Sequence, residues 1–190
     1  YRQIEPFRNR LAGRLSGGMK QKLALSCALV HKPEVLFLDE PTTGVDAVSR
    51  KEFWEMLKRL KGWGITILVS TPYMDEAALC DRVALMQGGH ILIIDTPDEI
   101  VNSYQRSLVE VRTDNMFTLV GDLQQIEDCH TAYRFGSGIH YTARSGEVDT
   151  DDLEKYLALK GHGDIQIGRI SPGIEDCFME LMKTEQHAGE

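Results

Sequence analysis

Two carboxylates side by side, Asp39 and Glu40, follow directly on the apolar run Val35-Leu36-Phe37-Leu38. Such a run reads as a short strand buried on both faces, as in a parallel sheet covered by helices. Pro41 stops it, because proline cannot donate to a ladder. The two acids therefore stand at the carboxyl edge of a parallel sheet, where open α/β sheets bind ligands. Uncompensated carboxylates there are costly, so a cation, a protonation or a water to be activated is implied. The plain alternative is that one acid merely caps the next turn.

A second group lies just upstream. Ser16-Gly17-Gly18 precedes a largely apolar run to Val30. Ser16 is a good N-cap for a helix from about Gly17 to His31, and helix N-terminal N–H groups make a phosphate site. Glycine lets the backbone approach a ligand without a Cβ in the way. The competing reading is a glycine turn that caps a core helix.

The elements that must position these groups follow from periodicity and turn chemistry. Asp46 can cap a helix over about 47–61, whose Phe53, Met56, Leu57 and Leu60 form a buried stripe. Ile65 to Ser70 is a second buried strand. Thr71-Pro72 then opens a helix to about Leu79, with proline at its first position. Arg82 to Gln87 and His90 to Ile94 are strands joined by Gly88-Gly89. Thr96-Pro97-Asp98-Glu99 is a capping box that starts a helix to about Tyr104. Beyond it the order strand (108–112), helix (116–126), hairpin (130–135 and 139–143), helix (151–159), strand (165–170) and a helix capped by Ser171-Pro172 suggests a small ferredoxin-like α+β unit.

These motifs together resemble the C-terminal part of an ATP-binding-cassette (ABC) ATPase subunit. Ser16-Gly17-Gly18 is similar to the ABC signature, Leu36-Phe37-Leu38-Asp39-Glu40 to the Walker B strand, and Pro41 to Asp46 to the D-loop. The resemblance implies an α/β fold: the C-terminal part of a P-loop NTPase parallel sheet with flanking helices over residues 1–104, then the accessory α+β domain over 105–190. It implies ATP and Mg2+ as cofactors, with Asp39 on the magnesium side through a coordinated water and Glu40 as general base or water-orienting group. Ser16, Gly17, Gly18 and, on the same helix, Gln21 would face ATP held by a second ABC subunit. Lys20 and Gln21 are expected to be exposed. Asp46 would lie at that dimer interface as well as capping its helix. Where most of the family carries a histidine that reaches the γ-phosphate, this chain has Pro72, which has no side-chain donor, so slow or absent hydrolysis at this site is expected. Tyr73 could donate instead, though ordinary packing is the simpler account of it.

Ser171-Pro172-Gly173-Ile174-Glu175-Asp176-Cys177-Phe178 and Tyr73-Met74-Asp75-Glu76-Ala77 resemble segments of bacterial ABC-2-type exporter ATPases. The implied setting is cytoplasmic and peripheral on the inner face of the cell membrane, against transmembrane permease subunits. No Gly-Lys dipeptide occurs in the 190 residues, so the phosphate-cradling G-x-x-x-x-G-K-[ST] loop is not among them. The expectation is a C-terminal fragment of a longer subunit, inactive alone; a short protein that lost the loop is the alternative.

Composition sets bounds. The net charge of -8 argues against a nucleic-acid partner. No apolar run reaches the ~18 residues of a membrane span. Cys27, Cys80, Cys129 and Cys177 are far apart and suggest neither a zinc site nor a disulfide framework. Three functions fit the motifs. One is a transport ATPase subunit. Another is a catalytically silent half that donates its signature to a competent partner. The third, a soluble ABC protein of translation or chromosome maintenance, is disfavoured by the acidity, the lack of heptads and the exporter-like ending.

Overall fold

Ser16 starts the first long helix, α1 (Gly17–Ala28), by accepting the Met19 N–H on its Oγ at 3.4 Å. The computed structural model describes residues 5–188. These fall into two units, one up to Glu76 and one from Ala77. In the first, α1 passes through a 3-10 turn (Leu29–His31) to β1 (Val35–Asp39). Asp46 caps α2 (Ala47–Gly62), its Oδ1 accepting the Ser49 N–H at 2.9 Å. Strand β2 (Thr66–Ser70) then pairs with β1 in parallel, Val35 beside Thr66 and Asp39 beside Ser70. The core of this unit is Leu25, Leu36, Phe53, Trp54, Leu57 and Leu60, all buried. Lys22 of α1 is buried too and pairs with Glu52 of α2.

The expectation that Val35–Leu38 is buried on both faces is not met. Leu36 is 5% exposed, but Val35, Phe37 and Leu68 are 46%, 73% and 61% exposed. Burial alternates along both strands, so residues 35, 37, 66 and 68 share an open face. The apolar run is suited to two covering layers, and the described residues of this unit cover one. The helix expected from Pro72 to Leu79 is also corrected: α3 spans only Met74–Ala77. Thr71 explains the delay. Its Oγ1 accepts the Tyr73 N–H at 3.1 Å, a side-chain turn that competes with helix initiation. Pro72 therefore lies in the link before the helix, and not at its first position.

The second unit opens with an antiparallel pair, β3 (Val83–Gln87) and β4 (His90–Asp95). Gly88 and Gly89 have φ of 56° and 84°, as a two-residue hairpin turn of the twist-matched kind demands. Helix α4 (Pro97–Asn102) starts at Thr96, which accepts the Glu99 N–H at 3.2 Å. Only half of the expected capping box forms, since Asp95 takes the Thr96 N–H at 2.8 Å.

Then come β5 (Val109–Arg112), α5 (Met116–Gln124), β6 (Cys129–Phe135), β7 (Gly138–Ala143), α6 (Thr150–Leu159), β8 (Gln166–Arg169) and α7 (Ile174–Ala188). The sheet order is β6-β7-β5-β8 with all neighbours antiparallel. That is the arrangement of a ferredoxin-like unit, as the element order suggested. Its core holds Val109, Val111, Leu119, Leu123, Ile139 and Leu157, each 0% exposed. Ser171-Pro172 does not cap α7. Asp176 does so from within, accepting the Gly173 N–H at 2.7 Å.

Burial pushes five groups of this second unit upward, the Cys129 thiol and the Tyr104 and Tyr133 hydroxyls among them. The Cys177 thiol rises from 9.0 to about 11, and the Tyr141 hydroxyl from 10.0 to about 12. Both are raised acids, so the stability they contribute is present below their unfolded values and is lost as pH rises through the folded ones. Denaturant midpoints of the chain should stay level from neutral pH to about 9 and fall between about 9 and 12. Cys177→Ala should reduce the earlier part of that fall, to which the raised Cys129 thiol also contributes, as read by unfolding curves taken across the alkaline range.

Candidate functional site

The parallel register fixes the strand tips. Ser70 lies beside Asp39, and its Oγ donates to Asp39 Oδ1. The Glu40 N–H donates to both the carbonyl and the Oγ of Ser70, at 3.1 and 3.0 Å. Glu40 itself is left-handed, with φ of 42°, a region that residues with a Cβ rarely enter. Its carboxylate accepts from Thr43 Oγ1 at 3.0 Å. Asp39 and Glu40 are both exposed, and neither makes an ion pair among the described residues. Two acids are thus held open to solvent at the carboxyl end of a parallel pair.

Magnesium can be tested against this donor set. A carboxylate and a hydroxyl suit a hard cation that keeps several waters. Among the described residues no group of three or more His, Cys, Asp or Glu could hold a metal by itself. Asp39 therefore fits a magnesium ion carried with nucleotide phosphates better than a resident one.

The second group is assembled at the N-terminus of α1. Ser16 and Gly17 are exposed, Gly18 is buried and Gln21 half-buried, with Lys20 exposed. A Cβ on Gly17 would lie 3.3 Å from the Gly44 carbonyl oxygen, and one on Gly18 only 2.5 Å from the Ser49 Cβ. The glycines are thus needed for close contact between α1 and the segment Gly44–Ser49. A role toward phosphate is not required to explain them, although it is compatible with them. Gly44 turns left-handed (φ 73°) within that segment, where glycine is at home. Asp46 lies next to it. The Ser49 amide, then the Ser49 hydroxyl, hold its exposed carboxyl below the ordinary carboxylate range.

Pro72 is exposed in the link after β2. The adjacent Tyr73 ring lies under the Arg50 guanidinium, 4.9 Å from its centroid, which favours the packing account of Tyr73.

Glu76 was not singled out by sequence reasoning. It is 2% exposed, and its Oε2 accepts from Thr42 Oγ1 at 3.0 Å and Thr71 Oγ1 at 2.7 Å. The Arg50 Nε lies 3.8 Å from its Oε1. The only signal in the sequence is position: Glu76 and Ala77 are neighbours, and both turn inward from the short α3. A pair of acids at a helix start ordinarily reads as a solvated first turn.

Close packing at Gly18 sets a measurable cost. Gly18→Ala should destabilise the first unit by about 1–3 kcal/mol, as overpacked sites do. Urea unfolding followed by Trp fluorescence reads this, since Trp54 is in the same core.

Residues 2–43 match the ABC transporter family, a span that contains Ser16–Gly18, Asp39 and Glu40. The chain is 36% identical over 187 residues to the "Probable multidrug ABC transporter ATP-binding protein YbhF" of Escherichia coli K12, covering 96% of this chain and 31% of that protein. It is 33% identical over 181 residues to the "Nod factor export ATP-binding protein I" of Bradyrhizobium diazoefficiens, covering 90% of this chain and 54% of that protein. It thus spans about a third to about half of the length of these two relatives. A solved structure of cbiO1 from Clostridium perfringens, described as part of the ABC transporter complex cbiONQ, covers 53% of this chain and 41% of that one, at 34% identity and a TM-score of 0.49. Over nine-tenths or more of its own length the chain is thus similar to ABC transporter ATP-binding proteins.

Proposed function

We propose that the chain forms part of an ATP-binding and ATP-hydrolysing subunit that drives an ABC-2-type exporter. The observation that carries this reading is the pair Asp39 and Glu40, held open by Ser70 at the carboxyl end of a parallel strand pair. In this reading Glu40 accepts a proton from water as that water attacks the γ-phosphorus of ATP. The bond to the ADP oxygen breaks, and phosphate and ADP leave. Asp39 would hold magnesium through water; the ion, when bound, supplies charge neutralisation for the phosphates. Ser16, Gly17, Gly18 and Gln21 would present the start of α1 to ATP on a second subunit, with Asp46 near that junction. The names of the relatives, a probable multidrug transporter and a Nod factor export protein, support outward transport.

The partners in this reading are a second ABC subunit or half and transmembrane permease subunits. Among the described residues no helix is long and apolar enough to cross a membrane. The location that goes with the transport-subunit reading is cytoplasmic, peripheral on the inner face of the cell membrane. Residues 1–104 are assigned to the nucleotide-binding part and 105–190 to an accessory domain.

A second reading is favoured by Pro72, which offers no donor where the resemblance implies a histidine. The chain would then be a silent half that lends its α1 terminus to a competent partner. Steady-state hydrolysis by the full-length protein separates the two. The first reading expects turnover of about 1 s⁻¹ or more, and Glu40→Gln should lower kcat by about 10²-fold or more, the scale of a lost general base. Untouched turnover in Glu40→Gln overturns the assignment of Glu40. Wild-type turnover at the level of the first reading removes the silent-half reading, and Pro72→His should raise kcat by about tenfold or more if the missing donor limits the site; an unchanged kcat removes Pro72 as the cause of slow hydrolysis.

A further inference from the structure

We propose that Glu76 is a positioning residue for Glu40: its buried carboxylate fastens the segment after β1 to the segment after β2, and so holds Glu40 in the conformation that hydrolysis uses. This rests on the reading of Glu40 given above.

The geometry has two halves. Glu40 sits at φ 42°. Non-glycine residues in that region cost of order 1–3 kcal/mol and persist where their surroundings over-determine them. On one side Ser70 supplies that constraint, through two hydrogen bonds to the Glu40 N–H. The chain beyond Glu40 needs a second anchor. Thr42 provides it. It is 1% exposed, and its Oγ1 donates to Glu76 Oε2 at 3.0 Å. The turn between is closed by Thr43 N–H to the Glu40 carbonyl at 3.2 Å and Val45 N–H to the Thr42 carbonyl at 3.1 Å.

The same Glu76 oxygen accepts from Thr71 Oγ1 at 2.7 Å. Thr71 directly follows Ser70, the residue that grips Glu40 from the other strand. One buried oxygen thus joins the two chain segments that leave the strand tips. Arg50 of α2 supplies the countercharge, 3.8 Å from Glu76 Oε1 and 3.2 Å from Asp75 Oδ2. A fully desolvated carboxylate is a poor choice for bulk stability and a good one for fixing a single arrangement of hydroxyl donors.

The test uses Glu76→Ala, Glu76→Gln and the double variant Thr42→Val with Thr71→Val. In the full-length protein with Mg-ATP, Glu76→Ala should lower kcat by about tenfold or more while KM for ATP stays within about threefold. Glu76→Gln keeps an amide oxygen that can accept from both threonines, and should retain kcat within about threefold of wild type. The double variant should follow Glu76→Ala. Hydrogen exchange of the chain is the second readout. The Thr43 and Val45 amides should exchange about tenfold faster in Glu76→Ala and in the double variant, with the Leu36 and Leu38 amides unchanged.

A kcat within about twofold of wild type in Glu76→Ala overturns the proposal, as does a loss in Glu76→Gln equal to that in Glu76→Ala. Unchanged exchange at Thr43 and Val45 also overturns it. Should Glu76→Ala not fold, the other two variants decide by the same criteria. Should wild type hydrolyse nothing, exchange decides alone. Failure of the Glu40 reading shows separately, as normal turnover in Glu40→Gln.

Discussion

The register of the two parallel strands governs the site. Asp39 stands beside Ser70, and Ser70 gives its hydroxyl to Asp39 and takes the Glu40 N–H on its carbonyl and its Oγ. A slip of one residue would exchange the faces of the strand and bring a different side chain beside Asp39. The magnitudes show why several contacts converge there. One hydrogen bond contributes about 0.5–1.5 kcal/mol net, while a left-handed residue with a Cβ costs about 1–3 kcal/mol. A single bond offsets at most the lower half of that cost. The Ser70 contacts and the Thr42–Glu76–Thr71 junction together are of the required size.

Much of this was legible in the amino-acid sequence, because the signals were local. Ser16, Asp46 and Thr96 cap the helices that their residue types announce. The order of elements after Leu108 led to the four-stranded antiparallel sheet, since the topology follows from alternating strands and helices of ordinary length. What was missed depends on contacts between distant residues. The apolar run Val35–Leu38 reads the same whether one face is covered or two. Thr71 delays α3 through a side-chain turn, where Pro72 alone predicted an earlier start. Glu76 looked like a first-turn acid, and only the tertiary fold turns it inward toward Thr42, more than thirty positions away.

The second unit solves a different problem by related means. Helix α7 lays two acids, Asp176 and Glu180, over the side of the β6–β7 hairpin away from the core. Asp176 accepts from Tyr133 and lies 2.6 Å from His140 Nδ1. Glu180 meets His130 Nε2 at 2.9 Å and Arg106 Nε at 3.0 Å. The spacing of four residues puts both acids on one helix face. Burial outweighs the Glu180 carboxylate and holds the His130 imidazole below the ordinary histidine value. Asp176 also closes the helix start through the Gly173 N–H. The segment Glu175-Asp176-Cys177-Phe178, noted for its likeness to exporter ATPases, thus has a structural reason for its acid.

Where local preference is overruled, the reason has to be tertiary, and in the first unit Glu40 and Glu76 are joined through Thr42. Glu40 is left-handed without being glycine, Gly18 sits where a Cβ cannot fit, and Glu76 is an acid out of reach of water. Lys32 and Asp164 are also left-handed, at φ of 47° and 45°, but each sits in a plain connection between elements. The contrast matters because folding alone tends to remove such conflicts, whereas a site retains them. A buried ion pair is seldom the most stabilising filling for a core. An apolar residue in place of Glu76 would pack, yet it would leave the hydroxyls of Thr42 and Thr71 without that acceptor. The acid makes sense as a device for holding two strand tips in one relation, and that relation is what an open pair of carboxylates at a sheet edge requires.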